Sequence, residues 1–122
     1  MTDVVIALVQ KDLMFAFMQQ ANGVWRFPAG KVEVGEDFRA AVHRKLDDLS
    51  GLKVDTPIRL GMRENEHGTL HYYLCDWQEG ELEARNPHKF RQAVWMPPER
   101  IFVKVGREHI FKPAADYLMR MR

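Results

Sequence analysis

Residues 27–52, FPAGKVEVGEDFRAAVHRKLDDLSGL, constrain the fold more than any other stretch, because a glycine-rich turn leads directly into a capped helix. Asp37 precedes the periodic segment, and its carboxylate can accept the free N–H groups of a first helical turn. Gly51 follows the segment and can adopt the left-handed conformation that ends a helix. The apolar positions between them share one helical face: Phe38, Val42, Leu46 and Leu49. The stretch therefore predicts a turn and a helix packed by one face onto a core.

Apolar and β-branched runs on both sides of this unit predict strands. The first is a hairpin of VVIALV and LMFAFMQQ, and the short run VWRF ends at Pro28. Two longer strands, IRLGMRENE and TLHYYLCDW, surround a tight turn at HG, and AVWM is one more strand. PPERI predicts a turn or short helix, and REHIFKPAADYLMRM a closing helix broken near Pro113. Strands, a central helix, further strands and a terminal helix predict an α+β fold.

Composition limits the protein class. The 122 residues fit one domain, 1–122, and the formal net charge of +1 gives no basic field for DNA or RNA. Cys75 is the single cysteine, so no internal disulfide can form and a reducing cytoplasm is expected. The N-terminus has neither a basic signal-peptide start nor a membrane-length apolar run. We expect a soluble, cytoplasmic protein with no membrane partner, and the oligomeric state, monomer or dimer, is left open.

The turn and helix resemble the box of the Nudix family, G-x5-E-x7-R-E-U-x-E-E-x-G-U, in which U is aliphatic. The lead-in GVWRFPAGKVEVGE is similar to the family's W-x-F-P-G-G-K-x-E-x-G-E. The hairpin, AVWMPPERI and the terminal helix are similar to the MutT-like branch, so the resemblance covers nearly the whole chain. The box positions that fall in register are Gly30, Glu36, Arg44, Leu46, Gly51 and Leu52.

The resemblance implies an α/β/α sandwich around a mixed β-sheet. It also implies hydrolysis of a nucleoside di- or triphosphate, or of another small molecule containing a diphosphate, with Mg²⁺ or Mn²⁺. Glu36 and Asp48 stand at acidic box positions, and the backbone carbonyl of Ala29 at a position that can also hold metal. Phe27 occupies a position that helps to enclose the base in MutT-like proteins. In the family, the pair equivalent to Glu36 and Arg44 braces the loop against the helix.

The chain departs from the family pattern at its acidic positions. Lys45 replaces the Glu that follows the box Arg, Asp48 the first Glu of the pair, and Leu49 the second. Lys89 stands six residues before Trp95, where many MutT-like proteins carry another Glu. Mg²⁺ gives up its water shell reluctantly, so one carboxylate beside ammonium groups binds it weakly. We therefore expect the ordinary multi-metal site to be absent and turnover to be weak or lost.

Several residues keep two interpretations. Lys45 and Asp48 could form a surface ion pair, or Lys45 with Lys89 could hold a phosphate in place of the metal. Asp48 could remain a single metal ligand. Glu36 could act only through Arg44 or could also bind metal. Phe27 could pack in the core or stack on a base.

Other acidic residues are candidates for a replacement general base, because the family's base comes from the missing glutamates: Glu64, Glu66 and Glu99. Glu64, Glu66, His67 and His71 could also form a metal cluster, although a polar hairpin tip is usually only solvated. Three hypotheses for the whole chain remain: a weak hydrolase, a nucleotide-binding or regulatory domain without turnover, and a protein-interaction scaffold.

Overall fold

The first strand, β1 (Thr2–Lys11), lies within a mixed sheet in the computed structural model, which describes residues 2–121. Seven further strands complete the sheet: β2 (Met14–Gln20), β3 (Trp25–Arg26), β4 (Ala29–Lys31), β5 (Lys53–Val54), β6 (Ile58–Asn65), β7 (Gly68–Glu79) and β8 (Phe90–Met96). The helices are α1 (Phe38–Ser50), α2 (Pro98–Lys104) and α3 (Lys112–Arg120), with a 3₁₀ turn at Arg107–His109.

Strand order follows β3-β2-β1-β7-β5, with β4 paired to β1, β6 to β7 and β8 to β2. β1 and β7 run parallel, with Val5 opposite His71, and the other pairs are antiparallel. The parallel pair requires a crossover, because strands in the same direction cannot be joined by a tight turn. That crossover carries α1 across one face of the sheet, so the predicted mixed sheet is confirmed.

Alternating residues of β1 pack on opposite faces, as the period of two in a strand requires. One set joins the core beneath α1: Val5, Ala7 and Val9, with Val42 and Leu46 of the helix. The other set joins the core beneath α2 and α3: Ile6 and Leu8, with Ile101, Ala114 and Leu118. The sheet therefore separates two helical layers, which is the predicted α/β/α sandwich.

Both predicted ends of α1 are present. The Asp37 carboxylate accepts a hydrogen bond from the Ala40 N–H at 3.2 Å. Gly51 has a φ of 75°, and its N–H donates to the Asp47 carbonyl at 3.2 Å. A side chain at that φ would strain the backbone, so glycine is needed to end the helix.

The closing segment differs from the single broken helix predicted over residues 107–121. A separate 3₁₀ turn spans Arg107–His109, and α3 begins at Lys112. Pro113 lies in the first turn of α3, where the backbone N–H groups have no acceptor within the helix. The N–H that proline lacks therefore costs no hydrogen bond, and Pro113 helps to start this helix rather than to break one. The described helices include none that is long and apolar enough to span a membrane.

Candidate functional site

An open groove of about 800 Å³ lies between α1, the β3–β4 segment and the chain leading into β8. We call it the basic groove, because its charged lining is mostly cationic: Arg26, Lys31, Arg44, Lys45 and Lys89. Within residues 2–121, its only acidic lining residue is Glu33. Lys45 and Lys89 therefore meet in one site, although they are far apart in sequence.

Lys45 lies directly over the glycine turn. A β-carbon on Gly30 would overlap Cγ, Cδ and Cε of the Lys45 side chain. Glycine at position 30 thus makes room for the hydrocarbon part of Lys45 to cross the turn. The charged side chain now occupies the space where the resemblance implies a carboxylate.

Leu49 forms an apolar part of the same groove. It is 7% exposed and packs with Met18 and Phe90 in a small core of its own. The prediction that Leu49 would be buried is confirmed, but its partners differ from those of Val42 and Leu46. The position of the usual central metal ligand is therefore held by core packing.

Asp48 lies away from the groove lining, with a half-exposed side chain. One of its carboxylate oxygens is 3.9 Å from Arg44 Nη1. Among residues 2–121, no ion pair joins Asp48 to Lys45, so of the two interpretations of Lys45 the surface ion pair with Asp48 is wrong. The reason is geometric: the Lys45 side chain runs across Gly30 instead of along the helix surface.

Glu36 and Arg44 form a two-pronged ion pair between the loop and α1. Arg44 Nε donates to Glu36 Oε2 at 2.8 Å, and Arg44 Nη2 donates to Glu36 Oε1 at 2.9 Å. Arg44 Nη2 also donates to the Lys31 carbonyl at 2.9 Å, and Glu36 Oε1 accepts the Glu33 N–H at 3.0 Å. These contacts hold the loop against the helix, as the bracing interpretation expects.

The bonds from Arg44, followed by the bond from the Glu33 N–H, lower the pKa of Glu36 to about 2. Arg44 correspondingly has a raised pKa. Glu36 is therefore ionised at neutral pH, but both of its carboxylate oxygens already accept hydrogen bonds. Its structural role uses the oxygens that a metal would need.

The donor set does not fit a Mg²⁺ site, which needs several oxygen ligands in octahedral geometry. Residues 2–121 contain no cluster of three or more Asp, Glu, His or Cys side chains that could hold a metal. The three expected ligands do not form a set. The Glu36 oxygens accept hydrogen bonds from Arg44, and Asp48 lies outside the groove. Ala29 does line the groove, but its neighbour Gly30 lies beneath the Lys45 side chain. A metal here would also face the Lys45 ammonium group.

A second opening, of about 330 Å³, shares Arg26 and Gln20 with the basic groove. We call it the aromatic cavity after its rings: Phe17, Trp25, Phe27, Tyr72 and Phe111. Phe27 is 8% exposed and meets Phe17 edge-to-face, with ring centroids 4.9 Å apart. Phe27 is thus both a core residue and part of the cavity wall, and it lies in the aromatic cavity rather than in the basic groove.

The other polar candidates lie apart from the basic groove. Glu64, Glu66 and Glu99 are all exposed and none lines it. The hypothetical hairpin metal cluster is wrong, because His71 is buried in β7 between Asp3 and Arg59, with its ring nitrogens 3.0 and 3.1 Å from them. Sequence reasoning missed Arg26 and Glu33, which enter the groove only through the path of β3 and the loop after β4.

Comparison with known proteins agrees with the fold. A sequence model of the NUDIX domain matches residues 2–118. CTP pyrophosphohydrolase of Escherichia coli is 28% identical over 108 residues, covering 81% of this chain and 78% of that protein. RNA pyrophosphohydrolase of Erythrobacter litoralis is 25% identical over 112 residues, covering 70% and 68%.

Solved structures give the same result. A MutT structure from work on Aliivibrio salmonicida and Vibrio cholerae superposes with a TM-score of 0.78 at 17% identity, covering 98% of this chain and 96% of that one. At that identity the likeness concerns the fold alone. The match over residues 2–118 concerns nearly the whole sequence. The chain is therefore a member of the Nudix family, whose pyrophosphohydrolases include the curated relatives above.

Proposed function

We propose that the basic groove binds the phosphate chain of a nucleoside di- or triphosphate without a resident metal, and that hydrolysis is slow or lost. Lys45 carries this proposal, because its side chain crosses Gly30, the first residue of the box, and lines the groove. A lysine binds phosphate as a compact positive charge with three donors. It supplies in fixed form part of the charge that Mg²⁺ would supply in a catalytic relative.

Two further side chains support the proposal from other directions. Lys89 lines the groove from the segment before β8, and Arg26 from β3. Neither forms an ion pair with a carboxylate within residues 2–121, so both can meet an anionic ligand. Positive groups on several walls favour a ligand with more than one phosphate.

The base of the nucleotide would occupy the aromatic cavity. Arg26 and Gln20 line both openings, so a ligand can extend from one into the other past these residues. Phe27 and Trp25 offer ring surfaces to a base, and stacking of this kind stabilises nucleotide complexes. Binding therefore uses the scaffold of a Nudix hydrolase with a different charge at its centre.

The slow-hydrolysis part follows from the scarcity of carboxylates that could act as a general base among the described residues of the groove. Glu33 is the acidic lining residue of the described chain, and its carboxylate is already 3.7 Å from Arg44 Nη1. Asp48 could hold one cation only from outside the lining. The relatives named as CTP and RNA pyrophosphohydrolases keep hydrolysis as the second candidate function.

A nucleotide panel tests binding and turnover together. Thermal unfolding is measured with each nucleoside di- and triphosphate in excess EDTA, and pyrophosphate or phosphate release is measured with Mg²⁺ or Mn²⁺. At ten times Kd, a ligand adds about 1.4 kcal/mol of stability and raises Tm by about 5 °C. We expect such a shift in EDTA for at least one nucleotide, with turnover far below the ordinary range of about 1–10³ per second.

Lys45→Ala gives the matched test of the groove. Removing the ammonium should abolish most of the nucleotide-induced shift while changing the Tm of the free protein little, because the replaced group lies in an open groove. Arg91→Ala serves as the control, since Arg91 is exposed and lines neither opening. Ordinary turnover rates would overturn the degraded-site proposal, and no shift with any nucleotide would favour the protein-interaction scaffold.

A further inference from the structure

The aromatic cavity is rich in hydrogen-bond donors. Arg26 and Arg63 are among its lining residues, and a guanidinium group can only donate. No carboxylate lines the cavity within residues 2–121. Neither arginine forms an ion pair in that part of the chain. The positive charges of Arg26 and Arg63 are thus not balanced by a carboxylate in the described cavity lining.

Asn65 adds to this imbalance. Its Oδ1 accepts hydrogen bonds from the backbone N–H groups of His67 at 2.8 Å and of Gly68 at 3.0 Å. These bonds close the turn between β6 and β7 and occupy the acceptor of the amide. The amide NH₂ is left for a ligand, so Asn65 also enters the cavity lining chiefly as a donor.

Arg63 is held against the ring wall of the cavity. Its guanidinium carbon lies 5.6 Å from the Tyr72 ring centroid and 5.7 Å from that of Phe111. The two rings are stacked, with centroids 4.3 Å apart and planes 24° from parallel. A planar cation beside stacked rings is restricted in orientation, which gives its N–H groups a defined direction.

We infer that the aromatic cavity selects a base carrying an exocyclic oxo group, as in guanine or uracil, over its amino counterpart, with Arg63 as the specificity-determining side chain. This inference rests on the proposed function. An oxo group accepts from a guanidinium, and guanine offers both O6 and N7 to one arginine. The amino group of adenine or cytosine would bring N–H donors to Arg63 and Arg26, which cannot accept a hydrogen bond, and would leave these groups unpaired.

Two matched pairs of ligands isolate the exocyclic group. Calorimetric titration in EDTA compares IDP, which lacks the 2-amino group of GDP but keeps O6 and N7, with ADP, and UDP with CDP, so that ring size and phosphate number are constant within each pair. We expect the oxo member to bind about ten-fold more tightly in at least the purine pair, as one good bidentate contact provides. Equal affinities within both pairs, or tighter binding of the amino members, would overturn the inference.

Substitution of Arg63 then assigns the preference. Arg63→Gln should reduce the oxo-to-amino ratio to about two-fold or less, and Arg63→Lys should retain charge but lose most of the ratio, because it lacks the planar fork. Inorganic pyrophosphate, which has no base, should bind both variants as it binds the natural protein. Arg91→Gln is the control, because Arg91 is exposed outside both openings.

The pyrophosphate titration separates this inference from the function on which it rests. If pyrophosphate and all four nucleotides fail to bind, the proposed phosphate groove is wrong and the base preference falls with it. If pyrophosphate binds and Lys45→Ala abolishes that binding, while IDP, ADP, UDP and CDP bind alike, only the base preference is wrong. An unchanged ratio in Arg63→Gln would remove Arg63 from its assigned role.

Discussion

The two sides of the turn–helix unit show how differently one motif can be preserved. On one side, Glu36 and Arg44 are joined by two hydrogen bonds of 2.8 and 2.9 Å that hold the loop in place. On the other side, Lys45 and Leu49 present an ammonium group and a buried aliphatic chain to the groove. The comparison teaches that the shape of this site can be kept while the charge at its former acidic positions changes.

The largest effect is expected when glutamates are placed at the three altered box positions, 45, 48 and 49. The triple variant K45E/D48E/L49E should lower the free energy of unfolding in EDTA by about 2–5 kcal/mol, because a buried leucine is lost and charge is introduced. Mg²⁺ should then raise its Tm, whereas the natural protein should show little response. Urea unfolding and thermal scans with and without Mg²⁺ measure the two effects.

The uncharged triple K45Q/D48Q/L49Q is the matched control. It removes the same leucine and has side chains of similar size, so it should be destabilised without responding to Mg²⁺. If the acidic triple also fails to respond to Mg²⁺, the shape retained by Glu36 and Arg44 is insufficient to support a metal site, and the separation of shape from charge is wrong.

Breaking the Glu36–Arg44 ion pair should lower the stability of the protein and change how that stability depends on pH. Glu36→Gln keeps the size of the side chain but removes the ionised partner of Arg44, so the urea midpoint should fall at neutral pH. In the natural protein, the pKa of Glu36 is lowered from 4.5 to about 2. The corresponding stabilisation is present above pH 4.5 and is lost as the pH falls toward 2.

The variant should therefore lose this part of the acid dependence, and the two urea midpoints should converge between pH 4.5 and 2. Glu81→Gln is the control, because Glu81 is exposed and forms no ion pair within residues 2–121. A constant difference between Glu36→Gln and the natural protein across that pH range would show that the ion pair does not carry the effect.

A smaller effect is expected at the edge of the groove. Lys89→Gln should weaken pyrophosphate binding about two- to three-fold in EDTA, equivalent to about 0.5 kcal/mol, as is typical of one exposed charge. The loss should disappear at high salt, because exposed charges are screened. Titration at two salt concentrations measures it, and a loss as large as that of Lys45→Ala would make both lysines equal parts of the site.

Sequence reasoning predicted the elements that have strong local signals. The Asp37 cap, the Gly51 stop, the first hairpin and the long β6–β7 hairpin all depend on residues close together in the chain. β4 and β5 were missed, since strands of three and two residues have no measurable periodicity and form only by pairing with β1 and β7.

The site was predictable only in part, for a related reason. The box register identified Lys45 and Leu49, and the spacing from Trp95 identified Lys89. The path of the Lys45 side chain could not be predicted, because it depends on the absence of a β-carbon at Gly30. Arg63 could not be assigned either, because its neighbours Tyr72 and Phe111 come from β7 and the segment before α3.

The residue at position 30 controls where the Lys45 side chain lies without changing any charge. One added methyl group, in Gly30→Ala, would collide with three carbons of the Lys45 side chain while leaving every charge in the molecule unchanged. The ammonium would have to leave its path across the turn. The position of the cation in the groove thus depends on a small residue in β4 as well as on Lys45 itself, which lies in α1.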